Sequence, residues 1–307
     1  MTEGSLAVAS RDVLAHHARS FRWGAWFLPA GTHDEAAITY AFCRLVDDVV
    51  DEAENEELAT EGVKQLEAEL REDVTPTALV AGFAEVMERD GGSLEPAFEL
   101  IKGVRSDLGE QILQTPAELL TYCYRVAGTV GLMMCQVLQV KDKRALPHAV
   151  DLGIGMQLTN IARDVHEDAG RGRVYIPAQV LDGVGITSAQ VLDGTADREK
   201  LAEAVEWLYR LGERYYVSAE RGMRFIPWRS RLAIFVASRT YRAIGVKLAR
   251  RKFDAMAGRV VVSWYEKVFW VGHGIFGAFK TLLSKPYVNH RAELHRSLQG
   301  MPGCSAG

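Results

Sequence analysis

The chain has 307 residues, of which 48% are hydrophobic and 25% charged, and these proportions exclude a disordered or collagen-like protein. Its 36 basic and 40 acidic side chains give a formal net charge of -4, which offers no general attraction for nucleic acid, so we expect no nucleic-acid partner. The first residues lack the pattern of a signal peptide and the four cysteines lack Cys-x-x-Cys spacing, which predicts a cytoplasmic protein with reduced thiols.

Helical periodicity runs through most of the sequence. Apolar residues recur at spacings of three and four from Ala36 to Val50, and later segments repeat this pattern without a convincing strand. Glycine and proline separate the helical segments, for example at 90–92 and at Thr115–Pro116, where Glu118 completes the pattern of a helix start. The sequence therefore predicts an all-α protein.

The domain organisation is simple. Residues 170–197 form the one long stretch of loop character, and no change of composition divides the chain into two cores. We predict a single helical domain over residues 1–298. Residues 299–307 contain three glycines and a proline without apolar periodicity, so they are predicted to form a flexible C-terminal tail.

Two pairs of aspartates are the strongest chemical signal. Asp47 and Asp51 are four residues apart in one helical segment, and Asp164 and Asp168 are four apart in another. Four residues turn an α-helix by about 400°, so each pair projects from one helix face. Mg²⁺ prefers such oxygen ligands, together with water and phosphate oxygens of a substrate. A single pair is also typical of a solvated helix face, and it is the second pair that favours a metal site.

The surroundings of the second pair point the same way. Gln157, Asn160, Asp164 and Asp168 form a polar stripe on a helix whose other positions are largely apolar. Buried polar groups need partners, so such a stripe is typical of a binding site. An arginine accompanies each pair, Arg44 in the first segment and Arg163 in the second. Arginine among carboxylates suits a polyanion such as diphosphate, which accepts its planar fork of donors.

Aromatic and basic residues are mixed at 260–283. The longest uncharged apolar stretch lies here, at 268–279, and it is shorter than the roughly 20 residues that span a bilayer. The region either covers the helical core, which is the interpretation we prefer, or rests on a membrane surface as a peripheral contact.

Several ordered motifs resemble those of the head-to-head prenyl synthases, that is, the squalene and phytoene synthases. The resemblance covers nearly the whole chain, and the openings NIARD and YRAIG look most like those of bacterial phytoene synthases. The segments that carry it are residues 20–21, 27–29, CRLVDDVVDE at 43–52, YCYRVAGTVG at 122–131, NIARDVHEDAGRGRVYIP at 160–177 and YRAIGVKLARRKFDAMAGRV at 241–260.

This resemblance implies an isoprenoid synthase fold, with two aspartate-rich helices facing each other across a central cavity. Its implied catalytic residues are Asp47, Asp48, Asp51, Asp164, Asp168 and Tyr241, and its implied ligands of Mg²⁺, or of Mn²⁺, are Asp47, Asp51, Asn160, Asp164 and Asp168. Its implied substrate contacts are Arg19, Ser20, Arg44, Tyr124, Gln157, Asn160, Arg163 and Arg259. The turn at 170–173 either closes over diphosphate, as the resemblance implies, or is a plain surface turn.

The resemblance also implies a reaction. Two geranylgeranyl diphosphates would condense head to head through prephytoene diphosphate to 15-cis-phytoene, with release of two diphosphates and without NADPH. The alternatives are squalene, presqualene diphosphate or dehydrosqualene made from farnesyl diphosphate, and a non-catalytic relative that assembles with other proteins or binds lipid. Expected partners are prenyl diphosphates and downstream carotenoid enzymes.

Overall fold

The computed structural model describes residue 10 and residues 28–280 and 289–305. Helices form nearly all of the regular structure in these residues. In chain order they are α1 (Ala30–Asp51), α2 (Glu56–Leu70), α3 (Ala78–Glu88), α4 (Glu95–Arg105), α5 (Pro116–Cys123), α6 (Thr129–Val137), α7 (Leu146–Ala169), α8 (Ala178–Gly183), α9 (Ser188–Leu192), α10 (Arg198–Gly222), α11 (Trp228–Arg250) and α12 (Trp264–Lys280). The all-α prediction is confirmed.

Helix α7 lies at the centre of the bundle, where it packs against α10, α6 and α11 and against a π-helical turn at Tyr124–Gly128. Two glycines allow the closest of these approaches. A Cβ atom on Gly153 would lie 2.1 Å from the carbonyl oxygen of Ala127, and one on Gly131 would lie 2.2 Å from that of Ala149. Because no larger residue fits at either position, the backbones of α7 and the neighbouring helices are held in direct contact.

The structure differs from the sequence prediction at residues 170–197. Arg173–Val174 forms strand β2, which pairs in parallel with strand β1 at Gln111–Ile112, although the sequence showed no strand pattern. The short helices α8 and α9 follow in the segment that the sequence predicts to be a loop. Helix α9 begins with a capping box, in which Thr187 accepts from the Gln190 amide and the Gln190 side chain accepts from Thr187 N–H. Local capping thus organises a segment with little apolar periodicity.

The predicted flexible tail also differs from the structure, which places residues 299–305 against the bundle. The hydroxyl of Tyr124 donates to the carbonyl of Pro302 at 2.9 Å. The amide of Ser305 donates to Nδ1 of His295, and His295 in turn donates from Nε2 to the buried carboxylate of Asp151 on α7 at 2.9 Å. These are long-range contacts of single polar groups, which a search for periodicity does not detect.

Two further histidines lie at the same carboxylate: His290, with Nε2 2.8 Å from Oδ2 of Asp151, and His148, with Nδ1 4.0 Å from that oxygen. His148 donates from Nδ1 to the carbonyl of Ser218, and burial lowers its pKa to about 4. In the unfolded chain its pKa is near the ordinary value of about 6.5, so between these two values the unfolded chain binds more protons. The free energy of unfolding should therefore fall by about 3 kcal/mol as the pH drops from 7 to 4 through this residue.

We expect His148→Asn to flatten that pH dependence, because asparagine keeps a donor for Ser218 and does not titrate. Urea unfolding across the pH range measures it. His166→Asn, a change at an exposed histidine of the same helix, is the control and should behave as the wild type. If the His148→Asn variant shows the same change of unfolding free energy with pH as the wild type, His148 is not the residue responsible for it.

Candidate active site

The first predicted acidic group lies at the C-terminal end of α1. Arg44 forms an ion pair with Asp48, one helical turn away. Asp47, the neighbour of Asp48, is half-buried and lines an apolar cavity. In the part of the chain that the structure describes, the buried Nε of Arg44 has no hydrogen-bond partner. This end of α1 therefore presents a carboxylate to the cavity, and a buried cationic donor without a partner among the described residues lies three residues before it.

The second predicted group lies along α7 and reaches a segment far away in sequence. The guanidinium of Arg163 donates to Asp164, with Nε 2.7 Å from Oδ1. Arg259, in the connection between α11 and α12, approaches the same carboxylate, with Nε 3.4 Å from Oδ1. One turn earlier, Asn160 donates to the side-chain oxygen of Gln157 at 3.2 Å. Within the polar stripe of the sequence, Gln157 is thus bonded to Asn160, and Asp164 is bonded to Arg163 and lies beside Arg259.

Two arginines just after α7 connect it with α1. Arg171 donates to one carboxylate oxygen of Asp51 at 3.0 Å, and Arg173 donates to the other at 3.1 Å. The turn that contains them also forms β2, whose pairing with β1 holds its backbone in place. The two acidic helices are therefore joined through the turn at 170–173.

A third carboxylate, which the sequence interpretation missed, lies between the two groups. Asp107 is buried and accepts hydrogen bonds from the hydroxyls of Tyr122 at 2.9 Å and Tyr175 at 2.7 Å, whose rings stack on each other. Arg173 donates to the Asp107 carbonyl at 3.2 Å. Asp107 has no aspartate four residues before or after it, so the pattern that marks the two pairs does not mark it. Tyr122 and Tyr175 fall within two of the motifs, and only the fold brings them together.

The carboxylates raise one another's pKa. Burial raises the pKa of Asp47 to about 7, against the attraction of Arg44, and Asp51, Asp48 and Asp107 add to the effect. Burial likewise raises the pKa of Asp168 to about 7, with Asp164 as the next cause. Asp107 acts on both, so Asp47 and Asp168 face one shared region. The cluster holds more negative charge than its arginines compensate.

The residues of this cluster fit a divalent metal ion. Carboxylate and amide oxygens are the ligands of Mg²⁺, and a cation would favour the ionised forms that burial disfavours here. The unsatisfied Arg44 Nε fits an anion bound beside the ion. The assignment of particular ligands among Asp47, Asp51, Asn160, Asp164 and Asp168 stays a prediction.

Two tyrosines lie where the acidic cluster meets apolar space. Tyr241 is on α11, and burial raises its pKa while Arg163 opposes the shift. Tyr40 is on α1, and burial raises its pKa to about 12, with Tyr241 as the next cause. Both rings line cavities that start at the cluster. Tyr241 was predicted from the sequence, whereas Tyr40 was not.

Two apolar cavities adjoin each other behind the cluster, with volumes of about 220 and 170 Å³. The first follows one face of α7, where the lining residues recur at spacings of three and one: Ala149, Leu152, Gly153, Met156, Gln157 and Asn160. The second follows one face of α1, where the lining residues recur at spacings of three, one, three and four: Ala36, Thr39, Tyr40, Cys43 and Asp47. They share a wall formed by Val126, Val130, Met134, Ile234, Ala237 and Tyr241. Each cavity is thus polar at one end, and each meets a different acidic helix.

Three predicted substrate contacts are not placed at the cluster. Tyr124 is fully buried in the core and its hydroxyl bonds to Pro302, so the structure does not bring it to the acidic groups. Arg19 and Ser20 lie outside the described residues. The other predicted residues, from Arg44 to Arg259, lie at the cluster or in the walls next to it.

Comparisons with known proteins agree with these features. The family model described as squalene/phytoene synthase matches residues 14–266. The 15-cis-phytoene synthase of Enterobacter agglomerans is 36% identical over 261 residues, which cover 81% of this chain and 88% of that protein. The 15-cis-phytoene synthase of a Paracoccus species is 34% identical over 279 residues, which cover 88% of this chain and 90% of that protein.

Solved structures share the architecture. A dehydrosqualene synthase in complex with ligand superposes with a TM-score of 0.79 at 25% identity, covering 92% of this chain and 98% of that chain. A squalene synthase from Alicyclobacillus acidocaldarius superposes with a TM-score of 0.74 at 21% identity, covering 82% of this chain and 95% of that chain. The helices described above are therefore arranged as in these synthases.

Proposed function

Because the chain belongs to the squalene and phytoene synthase family, we propose that it is a 15-cis-phytoene synthase, which condenses two geranylgeranyl diphosphates and releases two diphosphates. The observation that carries this proposal is the pair of adjoining apolar cavities, each of which begins at a different acidic helix. One cavity would hold each prenyl tail, and the shared wall would bring the two reacting ends together at the cluster. The full-length relatives named above support the same activity.

The charged residues suit the departure of diphosphate. When the allylic C1–O bond breaks, the electron pair leaves with the diphosphate oxygen, and positive charge spreads over C1 to C3 of the prenyl chain. Mg²⁺ held by the aspartates would stabilise the charge on the leaving oxygens. Two arginines would bind the same oxygens in fixed orientation. Within the described residues, the buried Nε of Arg44 has no hydrogen-bond partner, and Arg259 is half exposed.

The apolar walls suit the carbon chemistry. C1 of one substrate adds across the C2–C3 bond of the other and a proton leaves, which gives a cyclopropylcarbinyl diphosphate. A second ionisation, rearrangement and loss of a proton then give the triene. Water would trap either cation, so the lining of the cavities must exclude it. Tyr40 and Tyr241 line this space, and aromatic rings can stabilise positive charge.

The main alternative is a synthase that uses farnesyl diphosphate. It would use the same cluster and the same first step, and it would differ in how much of each cavity the shorter tail fills. The route to squalene would also require hydride from NADPH, whereas the routes to phytoene and dehydrosqualene end in loss of a proton. Chain length and the need for NADPH are therefore the properties that separate these functions.

The test is to incubate the purified chain and Mg²⁺ with each prenyl diphosphate, with and without NADPH, and to identify the hydrocarbons by chromatography and mass. We expect a C40 triene from geranylgeranyl diphosphate without NADPH, loss of activity with EDTA and recovery with excess Mg²⁺ or Mn²⁺. A C30 product alone would move the protein to the farnesyl-using branch. No product from either substrate, with folded protein, would favour the non-catalytic alternative.

A further inference from the structure

Helix α12 carries an apolar face that the bundle does not cover. The side chains of Trp264, Tyr265, Phe269 and Phe276 are 73%, 63%, 66% and 68% exposed. Tyr265, Phe269 and Phe276 are four and seven residues apart, so they project from one side of the helix. We call these four residues the aromatic face. Their exposure departs from the preferred interpretation of the sequence for these four side chains, whereas Val260, Val262 and Trp270 do pack against the core.

The opposite side of α12 is the one that packs. Gly274 lies against the backbone of Val236 and Gly277 against the ring of Phe235, both on α11. Trp270 is partly buried against the main core. Since α12 is already held on α11 by this side, its aromatic face is not needed for folding. Four exposed aromatic rings on one short helix are typical of a surface that binds something else.

Basic residues border the aromatic face. Arg250 lines a surface groove together with Tyr265, Phe269 and Trp270. Lys247 and Glu266 line the same groove and form an ion pair with each other, which leaves Arg250 as its uncompensated charge. Arg250 also begins the run Arg250, Arg251 and Lys252 at the end of α11, and Arg250 and Lys252 are exposed. Among the described residues, neither of these two forms an ion pair with a carboxylate. The formal net charge of the whole chain is -4, so this border is positive on an otherwise acidic protein.

We propose that the aromatic face and its basic border bind the surface of an anionic lipid bilayer. Aromatic side chains insert at the boundary between headgroups and acyl chains, and arginine and lysine beside them attract anionic headgroups. In the part of the chain that the structure describes, no helix is long and apolar enough to cross a membrane, so the contact is peripheral. A second copy of the chain is the other occupant of such a face, and the oligomeric state distinguishes it from a bilayer.

The aromatic face follows the acidic cluster closely along the chain, so membrane binding would place the active site near the lipid. Arg259 contacts Asp164, and Trp264 follows it by five residues, so the bilayer would lie within about 17 Å of Arg259 along the chain. The acidic cluster would then lie close to the surface of the bilayer. The binding surface itself is inferred from exposure and charge alone, and it does not depend on the proposed reaction.

Co-sedimentation with vesicles tests the proposal with the full chain. The vesicles are phosphatidylcholine alone, or phosphatidylcholine with about one third phosphatidylglycerol, at low and at high salt. We expect binding to the anionic vesicles that weakens with salt. Tyr265→Ser with Phe269→Ser should weaken it about tenfold or more, through lost apolar insertion. Leu58→Ser with Val217→Ser, two exposed apolar residues on α2 and α10, is the matched control and should bind as the wild type.

A second pair of variants isolates the charge. Arg250→Gln with Lys252→Gln should weaken binding about tenfold and reduce its salt dependence, whereas Lys64→Gln with Lys143→Gln, at two other exposed lysines, should not. Circular dichroism shows that each variant is folded. The proposal is overturned if the wild type does not bind anionic vesicles, or if both serine pairs weaken binding equally. It is also overturned if light scattering finds a wild-type dimer that the Tyr265 and Phe269 variant loses, which would assign the face to a second copy.

Discussion

Replacing Asp47 by asparagine is expected to lower turnover about a thousandfold while making the metal-free protein more stable at pH 8. Asparagine at 47 removes a predicted ligand of the Mg²⁺ ion that stabilises the leaving diphosphate, and loss of such stabilisation typically costs a factor of this size. The gain in stability follows from the raised pKa of Asp47, about 7, which means that the fold disfavours its ionised form. At pH 8 Asp47 is largely ionised in both the folded and the unfolded chain. Its ionised form therefore destabilises the folded chain, and asparagine removes this cost.

Steady-state kinetics with geranylgeranyl diphosphate and thermal melting in EDTA measure the two effects. Glu57→Gln, at an exposed acidic residue of α2, is the control and should change neither. Asp164→Asn should lower turnover to a similar extent, but without the gain in stability, because it leaves Arg163 and Arg259 without their shared carboxylate. Near wild-type turnover of either asparagine variant would refute the assignment of the cluster as the active site.

The two acidic helices were predictable because their signal is local. Asp47 with Asp51, and Asp164 with Asp168, share helix faces by spacing alone, and the structure places both pairs in one cluster. The order of motifs along the chain added the isoprenoid synthase fold, which the solved structures share. Periodicity and spacing report neighbours within a helix, and the central part of the site consists of such neighbours.

The rest of the cluster was not predictable from spacing. Asp107 lies 60 residues from Asp47 and 61 from Asp168 in the sequence, and only the packing of separate helices brings the three together. Tyr122 and Tyr124 illustrate a second difficulty. Two residues apart on a helix, they point about 200° apart, so at most one can face the site. The sequence interpretation chose Tyr124, whereas the structure directs Tyr122 to Asp107 and Tyr124 to Pro302.

The cavity along α7 leads to a prediction about substrate length. Ala145 lines this cavity at its deep end, and Asn160 lines it at the acidic end. Ala145 and Asn160 are 15 positions apart, which corresponds to about 22 Å at the rise of an α-helix. The side chains near Ala145 therefore limit how far a tail can extend from the acidic end. A geranylgeranyl tail is one isoprene unit longer than a farnesyl tail. Its last unit would therefore be the part that reaches Ala145.

Ala145→Phe should block that end and shorten the accepted tail. We expect kcat/KM for geranylgeranyl diphosphate to fall by about a hundredfold, since a clash at one isoprene unit costs more than a lost methylene contact. Activity with farnesyl diphosphate should persist or rise, and it serves as the internal control for folding. Competition between the two substrates, with products identified by mass, measures the change.

Ala145 is buried, so its replacement by phenylalanine could also destabilise the bundle. Ile226→Phe is the second variant, because Ile226 lines the same cavity but is half exposed and can move outward. Both variants should shift the preference toward the shorter substrate, and Ile226→Phe the less strongly. If a variant melts like the wild type but loses the same factor in kcat/KM for both substrates, the tail does not extend toward Ala145. The second cavity, along α1, would then be the one that measures chain length.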